Sequence, residues 1–480
     1  MQPNWIDILP QLFLAGGGFA VFCLGGFWKR RPRGLLFGVS LAAAIAAGAT
    51  AILIEPGELH FLKMLETGGY GRFFTFLLSL IAILSLLFSY EYGRLRGFGG
   101  DEFYGLLLLA GLGMTLVAGA VHWLIFFLGL ETLSLSLYVL IAIRKAQPAS
   151  NEAGIKYFIM GAVASSFLTF GIAMVYAATG KLDILQSLSP TVQAASTPAL
   201  LLGLSLILIG IGFKVSIVPF HLWTPDVYQG APAPVTAFLA AGSKVALFAA
   251  LLRVAYYYSA NSAWTFYAIV FWILAFLTMA VGNISALTQL RVKRLLAYSS
   301  IAQMGYLLMA LLAIRQGGVP AIMFYLTVYA LMDLGAFGTL ATLSAEKEDL
   351  DSLDDFRGLA YTHPWRSSLL TVCLVSLAGL PPTAGFMGKF ILFRAVLQAN
   401  FVVLAAIGIV TVIVSIYLYF KVIVVLFMHP MERKIATPGL DLSARVAGVV
   451  VLILILGLGL IPSSVLNIIT RAFSLLGASP

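Results

Sequence analysis

Along this chain apolar residues do not alternate with polar ones; they run together in long blocks separated by short polar connections. A bilayer core is roughly 30 Å thick and takes about 20 apolar residues per helix. On that measure the blocks read as spans over 7–27, 34–54, 72–90, 104–120, 121–143, 153–178, 198–224, 232–256, 264–285, 293–314, 318–343, 365–396, 400–428 and 444–462. The fourth and fifth divide at about Gly119–His122. A membrane β-barrel would need short strands of alternating polarity, which unbroken apolar blocks exclude. The pattern predicts an all-α polytopic membrane protein of about fourteen transmembrane helices.

Two spans are interrupted by proline, at Pro219 in the seventh and at Pro381-Pro382 in the twelfth. Proline removes a backbone donor and breaks a helix, and irregular backbone survives at membrane depth only when buried in protein or lining a hydrated cavity. The breaks lie five helices apart. Five is odd, so a unit of spans four to eight repeated as spans nine to thirteen is inverted in the membrane, each copy with one discontinuous helix. Paired interrupted helices in inverted halves mark a transport site near the midplane; two unrelated kinks are the plainer alternative. The expected organisation is 1–102, three N-terminal helices; 103–256, repeat one; 257–428, inverted repeat two; and 429–480, an inner loop, the last span and an outer C-terminus.

Composition agrees with that reading. Of 480 residues 61% are hydrophobic and 10% charged, against about 25% charged in soluble domains. The net charge of +9 forms no basic patch on a soluble surface, so nucleic-acid binding is excluded. Cys23 and Cys373 sit in apolar runs without metal-ligand spacing, so no metal, cluster or disulfide framework is expected. Residues Met1 to Asp7 lack the basic region of a cleaved signal peptide, and the first block is expected to be a retained helix.

Charge placement orients the chain. Lys29, Arg30, Arg31 and Arg33 follow the first span, and alternate loops then carry Arg94, Arg96, Arg144, Lys145, Arg291, Lys293, Arg294, Lys347, Arg357, Arg366, Arg433, Lys434 and Arg445. The opposite loops and helix ends hold only Lys63, Arg72, Lys181, Arg253, Arg315, Arg394 and Arg471. Both termini are therefore expected outside.

The remaining lysines, Lys156, Lys214, Lys244, Lys389 and Lys421, lie within hydrophobic segments, as does Glu131. A charge at that depth costs several kcal/mol unless it is paired or faces water. Burial lowers a lysine's pKa and a nearby carboxylate raises it again. A lysine held between those influences loads and releases a proton near neutral pH, and a chain of them forms a relay. The alternative is that these lysines snorkel or form static ion pairs that hold the bundle, a reading with most weight for Lys156 and Lys421 near the inner surface.

The run from Lys214 through Pro219 and His221 to Asp226-Val227-Tyr228-Gln229-Gly230-Ala231-Pro232 is the most specific in the chain. With Gly129-Leu130-Glu131, Gly242-Ser243-Lys244, Leu295 to Ile301 and Gly379-Leu380-Pro381-Pro382, it resembles the proton-pumping antiporter-like subunits of respiratory complex I, and among them the subunit N family. The resemblance covers roughly residues 100–430. It implies a membrane-arm subunit of NADH–quinone oxidoreductase in a bacterial inner membrane, assembled with other membrane-arm subunits. It also implies no redox centre on this chain: NADH, FMN, iron–sulfur clusters and quinone would be bound by other subunits. It pairs Glu131 with Lys214, makes Lys244 the central carrier and puts Lys389 on the outward route. No Gly-rich phosphate loop follows a strand, so the chain itself is not expected to bind NADH.

Two departures stand out. Gln303 occupies a place where relatives commonly have a histidine, so a proton wire there would use water held by Ser299, Ser300 and Gln303. Asp333 stands where an uncharged polar residue is expected; an extra protonatable site and a buried neutral acid are both open. His221, at the first break, is read as a gate or as a partner for freed carbonyls. His60, His122, His363 and His429 are read as solvated or structural, and the acidic loop 344–366, with Glu346, Glu348, Asp349, Asp351, Asp354 and Asp355, as a solvated inner face. Competing functions are a subunit of a multi-subunit sodium/proton antiporter, separated by the Tyr228-Gln229-Gly230 loop, and a structural anchor whose buried charges only lock helices.

Overall fold

The computed structural model describes residues 4–27, 33–55, 60–189, 198–344, 349–430, 439 and 441–476. Lys29, Arg30, Arg31, Glu346, Lys347, Glu348, Arg433 and Lys434, used above, lie outside the described residues.

The described chain is a bundle of helices in chain order: α1 (Leu9–Phe27), α2 (Arg33–Leu53), α3 (Gly69–Arg96), α4 (Asp101–Gly119), α5 (Trp123–Ile141), α6 (Pro148–Thr179), α7 (Pro198–Val215), α8 (Trp223–Gly230), α9 (Ala233–Tyr258), α10 (Trp264–Leu287), α11 (Val292–Leu311), α12 (Val319–Leu343), α13 (Pro364–Ala378), α14 (Ala384–Gln398), α15 (Val402–Met428), α16 (Leu442–Leu460) and α17 (Pro462–Leu476). Twelve helices among the described residues are long and apolar enough to cross a membrane. Helix α11 falls short because it carries Lys293, Arg294, Ser299, Ser300 and Gln303, and α13 and α14 are 15 residues each. A two-stranded hairpin, β1 (His60–Phe61) and β2 (Leu65–Glu66), caps one end. The expected split between the fourth and fifth spans falls at Ala120–His122, where the His122 Nδ1 accepts the Leu124 amide.

Helix α9 is wholly inside and α12 nearly so, whereas α1, α10 and α16 bury only about a third of their apolar windows. The two central helices therefore need no polar face, and the charges that interrupt them are Lys244 and Arg253 on α9 and Asp333 on α12. Elsewhere close helix approach is set by small residues, as membrane packing requires. A Cβ on Gly113 of α4 would stand 2.5 Å from the Leu133 nitrogen of α5, and one on Gly129 would stand 2.9 Å from the Val117 nitrogen.

Both interruptions are present, and their backbones repeat one another. Helix α7 ends with Ser216 at φ 67°, and α13 ends with Gly379 at φ 83°. In the first break the Ile217 amide donates to Gly212 O (2.8 Å), Ser216 to Phe213 O (3.1 Å) and Phe220 to Ile217 O (2.6 Å). In the second, Leu380 donates to Val375 O (3.2 Å), Gly379 to Ser376 O (2.9 Å) and Thr383 to Leu380 O (3.2 Å). This is a left-handed cap closing the last turn, followed by a tight turn, with one constant offset in residue number. In that register Pro219 matches Pro382 rather than Pro381.

Candidate functional site

Lys214, Lys244 and Lys389 are 2%, 0% and 4% exposed, so none faces lipid with its amine. Each is held differently. Lys214, in the last turn of α7, donates to Ser134 Oγ (2.8 Å) and Tyr138 OH (3.2 Å) of α5. The faces of Tyr138 and Tyr157 complete its surroundings at 5.1 and 4.9 Å, within the range of cation–π attraction. No hydrogen bond or close ion pair joins Lys214 to Glu131, whose Oε1 has no hydrogen-bond partner, although the carboxylate acts on the ammonium at longer range. Ser134 and Tyr138 follow Glu131 by three and seven residues on the same helical face, and these two hydroxyls occupy the ammonium in place of the carboxylate.

Lys244 follows a π-helical turn, Leu239–Ser243, within α9. It donates to Ser300 Oγ of α11 at 2.5 Å. Ser300 in turn lies 2.6 Å from Tyr329 OH, which donates to Asp333 Oδ2 at 2.7 Å. Lys389 uses the second break directly: it donates to Leu377 O (2.8 Å) and Ala378 O (3.2 Å), carbonyls at the end of α13. Gln303 shares Leu377 O (3.4 Å), donates to Tyr419 OH (3.2 Å) and accepts from Tyr325, while Ser299 bonds Tyr419. The untitratable Gln303 thus joins two tyrosines to the carbonyl that holds Lys389.

Two stretches between the lysines carry no direct side-chain hydrogen bond among the described residues. Between Lys214 and Lys244 stand the rings of Tyr157, Trp223 and Tyr228, with centroids 4.6 and 6.1 Å apart in succession. Between the Lys244 and Lys389 groups no direct hydrogen bond links Ser300 or Tyr329 to Gln303 or Tyr325 among the described residues. Ser299 and Ser300 point to different partners because adjacent helical positions diverge by about 100°.

Lys156 has the ion pairs of the alternative reading given above for the lysines near the inner surface. It is half-buried and bonded to Asp226 (2.8 Å) and Glu152 (2.7 Å) at the basic end of the bundle, away from the buried lysines. Arg294 also reaches Asp226, at 2.6 Å. His221 lies in the first break with Nδ1 unpartnered, and Thr224 there donates to Ser216 Oγ (2.7 Å). Lys421 donates to Gln289 O at 3.2 Å.

The acidic loop is not simply a solvated face. Asp349 is largely enclosed, its side chain 13% exposed, and is bonded to Arg96 (3.0 Å), Arg144 (3.1 Å), Lys293 (3.1 Å) and Tyr92 OH (2.7 Å). Beside it opens a polar cleft of about 530 Å³ lined by Arg144, Lys156, Asp226, Arg294 and Asp351, among others. At the opposite end Arg253, read above as a helix-end charge, is fully buried and paired with Glu66. Neither cluster has a local signature, since its members come from distant helices. The tyrosines did have one: Tyr325, Tyr329 and Asp333 repeat every four residues on α12.

A family model described as the transmembrane region of NADH:quinone oxidoreductase and Mrp antiporters matches residues 120–415. The chain is 46% identical to NADH-quinone oxidoreductase subunit N 1 of Solidesulfovibrio magneticus over 98% of both chains. It is 41% identical to subunit N of Geotalea uraniireducens over 97% of this chain and 98% of that one. A chain of the Thermus thermophilus respiratory complex I with bound aureothin superposes with a TM-score of 0.81 at 36% identity, covering 95% of this chain and 98% of that one. This chain therefore belongs to the subunit N family of NADH-quinone oxidoreductases, the antiporter-like membrane subunits of respiratory complex I.

Proposed function

We propose that this chain translocates protons across a bacterial inner membrane, driven by electron transfer from NADH to quinone in other subunits of the complex. It acts without a redox centre of its own, and NADH, FMN, iron–sulfur clusters and quinone belong to its partners. Fourteen crossings are the reading that best accommodates the twelve apolar helices together with α11 and the broken α13–α14 pair. Both termini then lie on the periplasmic side, after three helices (1–102), repeat one (103–256), inverted repeat two (257–428) and a last segment (429–480). The repeated hydrogen-bond pattern at the two breaks supports the inverted pair.

The observation that carries the proposal is the set of three lysines sealed in the interior on neutral dipoles or hydroxyls. Glu131, Lys214, Lys244 and Lys389 are the proton-carrying groups in this reading. Ser299, Ser300 and Gln303 hold the connecting chain, and His221 with Pro219, Pro381 and Pro382 shapes the breaks. Lys156 and the polar cleft around it form the mouth on the basic side. An apolar cleft of about 670 Å³ leads from Lys389 toward Arg394 and Gln398 at the other end. Gaps in the polar path are to be bridged by water, since proton transfer needs heavy atoms about 2.6–3.2 Å apart or one water between them. The test is Lys244→Ala in the assembled complex, in proteoliposomes. The expected result is intact assembly with proton pumping lost or turnover stopped. Normal pumping at normal quinone reductase rate overturns the relay.

A further inference from the structure

Resting on that reading, we propose that Asp333 is the acid that takes the proton of the central lysine, through Ser300 and Tyr329. Asp333 lies on α12, is 0% exposed, and has one oxygen, Oδ1, without a hydrogen-bond partner. A buried carboxylate in the most enclosed part of a membrane bundle is costly, and no guanidinium or ammonium within salt-bridge distance stabilises it among the described residues. What it has instead is a hydrogen-bond chain with a single sense. Lys244 Nζ, which has only protons to give, donates to Ser300 Oγ. Tyr329 OH lies closer to Asp333 Oδ2 (2.7 Å) than to its other acceptor, Ala240 O (3.2 Å), and so spends its one proton on the carboxylate. Ser300 Oγ, 2.6 Å from Tyr329, then donates to that tyrosine. Every member points the same way.

The transfer balances without any further reactant. The Lys244 ammonium gives a proton to Ser300 Oγ as the Ser300 proton moves to Tyr329 and the Tyr329 proton moves to Asp333 Oδ2. One O–H or N–H bond breaks and one forms at each step, and both hydroxyls end as they began. An ammonium and a carboxylate become an amine and a carboxylic acid, so the net charge of the enclosed centre is the same in both states. That is the useful property: a proton leaves Lys244 without placing new charge in the middle of the bundle. Lys389 lacks this device, since its acceptors are backbone carbonyls that take no proton.

The charged and titratable groups facing Asp333 are Lys244 on α9, Tyr228 on α8, Cys373 on α13, Tyr419 on α15, and Tyr325 and Tyr329 on α12 itself. Asp333→Asn keeps the shape and an acceptor for Tyr329 while removing the site for the proton; Asp333→Glu restores the acid. The experiment compares both variants with the parent complex in proteoliposomes, reading protons pumped per quinone reduced across pH. A parallel NADH-induced infrared difference spectrum reads the C=O stretch of a protonated carboxylic acid. Expected are loss of the protons moved by this subunit and of one carboxylic-acid band in Asp333→Asn, a shifted pH profile, and recovery in Asp333→Glu. An unchanged pumping ratio and pH profile in Asp333→Asn, or a spectrum that keeps every acid band, overturns the proposal. Lys244→Ala separates the layers: if that variant fails to pump while Asp333→Asn pumps normally, the acid's role falls and the relay stands; if both pump normally, the relay itself falls.

Discussion

Replacing Asp349 by asparagine removes one negative charge from a buried site that holds three positive ones. Arg96 and Lys293 have side chains only 3% exposed and Arg144 9%, so none can turn to water without moving a helix end. Breaking a buried ion pair by deleting one partner costs about 3–5 kcal/mol, because the other charge is left uncompensated. Asparagine keeps an acceptor for the Tyr92 hydroxyl, Lys293 keeps Ala231 O at 3.2 Å, and Arg96 keeps the Tyr92 ring at 3.9 Å. The loss therefore belongs at the lower end, about 3 kcal/mol. Since about 1.4 kcal/mol is tenfold in an equilibrium constant, that is over a hundredfold in the folded population. The assay is thermal loss of the folded subunit from detergent-solubilised complex, comparing Asp349→Asn and Asp349→Ala with Asp349→Glu. A midpoint for Asp349→Asn indistinguishable from the parent refutes the reasoning.

The same site makes a statement about pH. Burial alone would raise the Asp349 carboxyl, but Lys293, Arg96 and Arg144, with the Tyr92 hydroxyl, outweigh it and hold the carboxyl well below its ordinary 3.8. A carboxylate depressed in the folded state contributes stability that is fully present above its unfolded pKa and is lost as pH falls through the folded one. The cluster is accordingly insensitive to pH near neutrality and fails only in strong acid. Asp349→Asn should remove that acid-side dependence.

Two further predictions follow from clashes and pairs. A Cβ on Gly379 would lie 2.8 Å from the Lys389 Cδ at a φ of 83°, so Gly379→Ala both strains the cap and pushes Lys389 from its carbonyls; pumping should fall while assembly persists, and unchanged pumping would count against the Lys389 geometry. Arg253→Leu leaves Glu66 buried and unpaired, at a cost of about 3–5 kcal/mol, while Arg253→Leu with Glu66→Gln should be milder; a thermal-stability cycle without coupling would contradict the pair.

How much of this was readable beforehand varies with the range of the interaction involved. The helices were legible because apolar length is a local property, and so were the breaks, since Pro219 and Pro381-Pro382 act on their own turns. Lys244 and Lys389 stood out as isolated charges in apolar runs. What surrounds them did not, because Ser300 meets Lys244 from another helix and the Lys389 carbonyls are backbone, invisible in side-chain chemistry. Glu131 and Lys214 illustrate the limit: the resemblance pairs the fifth-span glutamate with the seventh-span lysine, while Ser134 and Tyr138, one and two turns along the same face as Glu131, make the hydrogen bonds to the ammonium. Asp349 and Asp351 read as one acidic loop, although Asp349 is drawn inside by Arg96, Arg144 and Lys293 from three separate segments.

The buried cations of this chain fall into two kinds, and the difference bears on which of them can move a proton. Arg253 sits directly on Glu66, and Lys293 on Asp349. For these, a close Coulomb attraction in a medium of low dielectric constant joins one part of the bundle to another. Lys214 sits on two hydroxyls and Lys389 on two carbonyls, partners whose hydrogen bonds a neutral amine still makes. Those bonds do not depend on the amine carrying a charge, which is what a group that gives and takes a proton requires. Lys244 falls between, linked to a carboxylate but with two hydroxyls interposed. A guanidinium would not serve at any of the three positions, because it does not release its proton in proteins; the proposed relay needs amines, and lysine is the residue found at each.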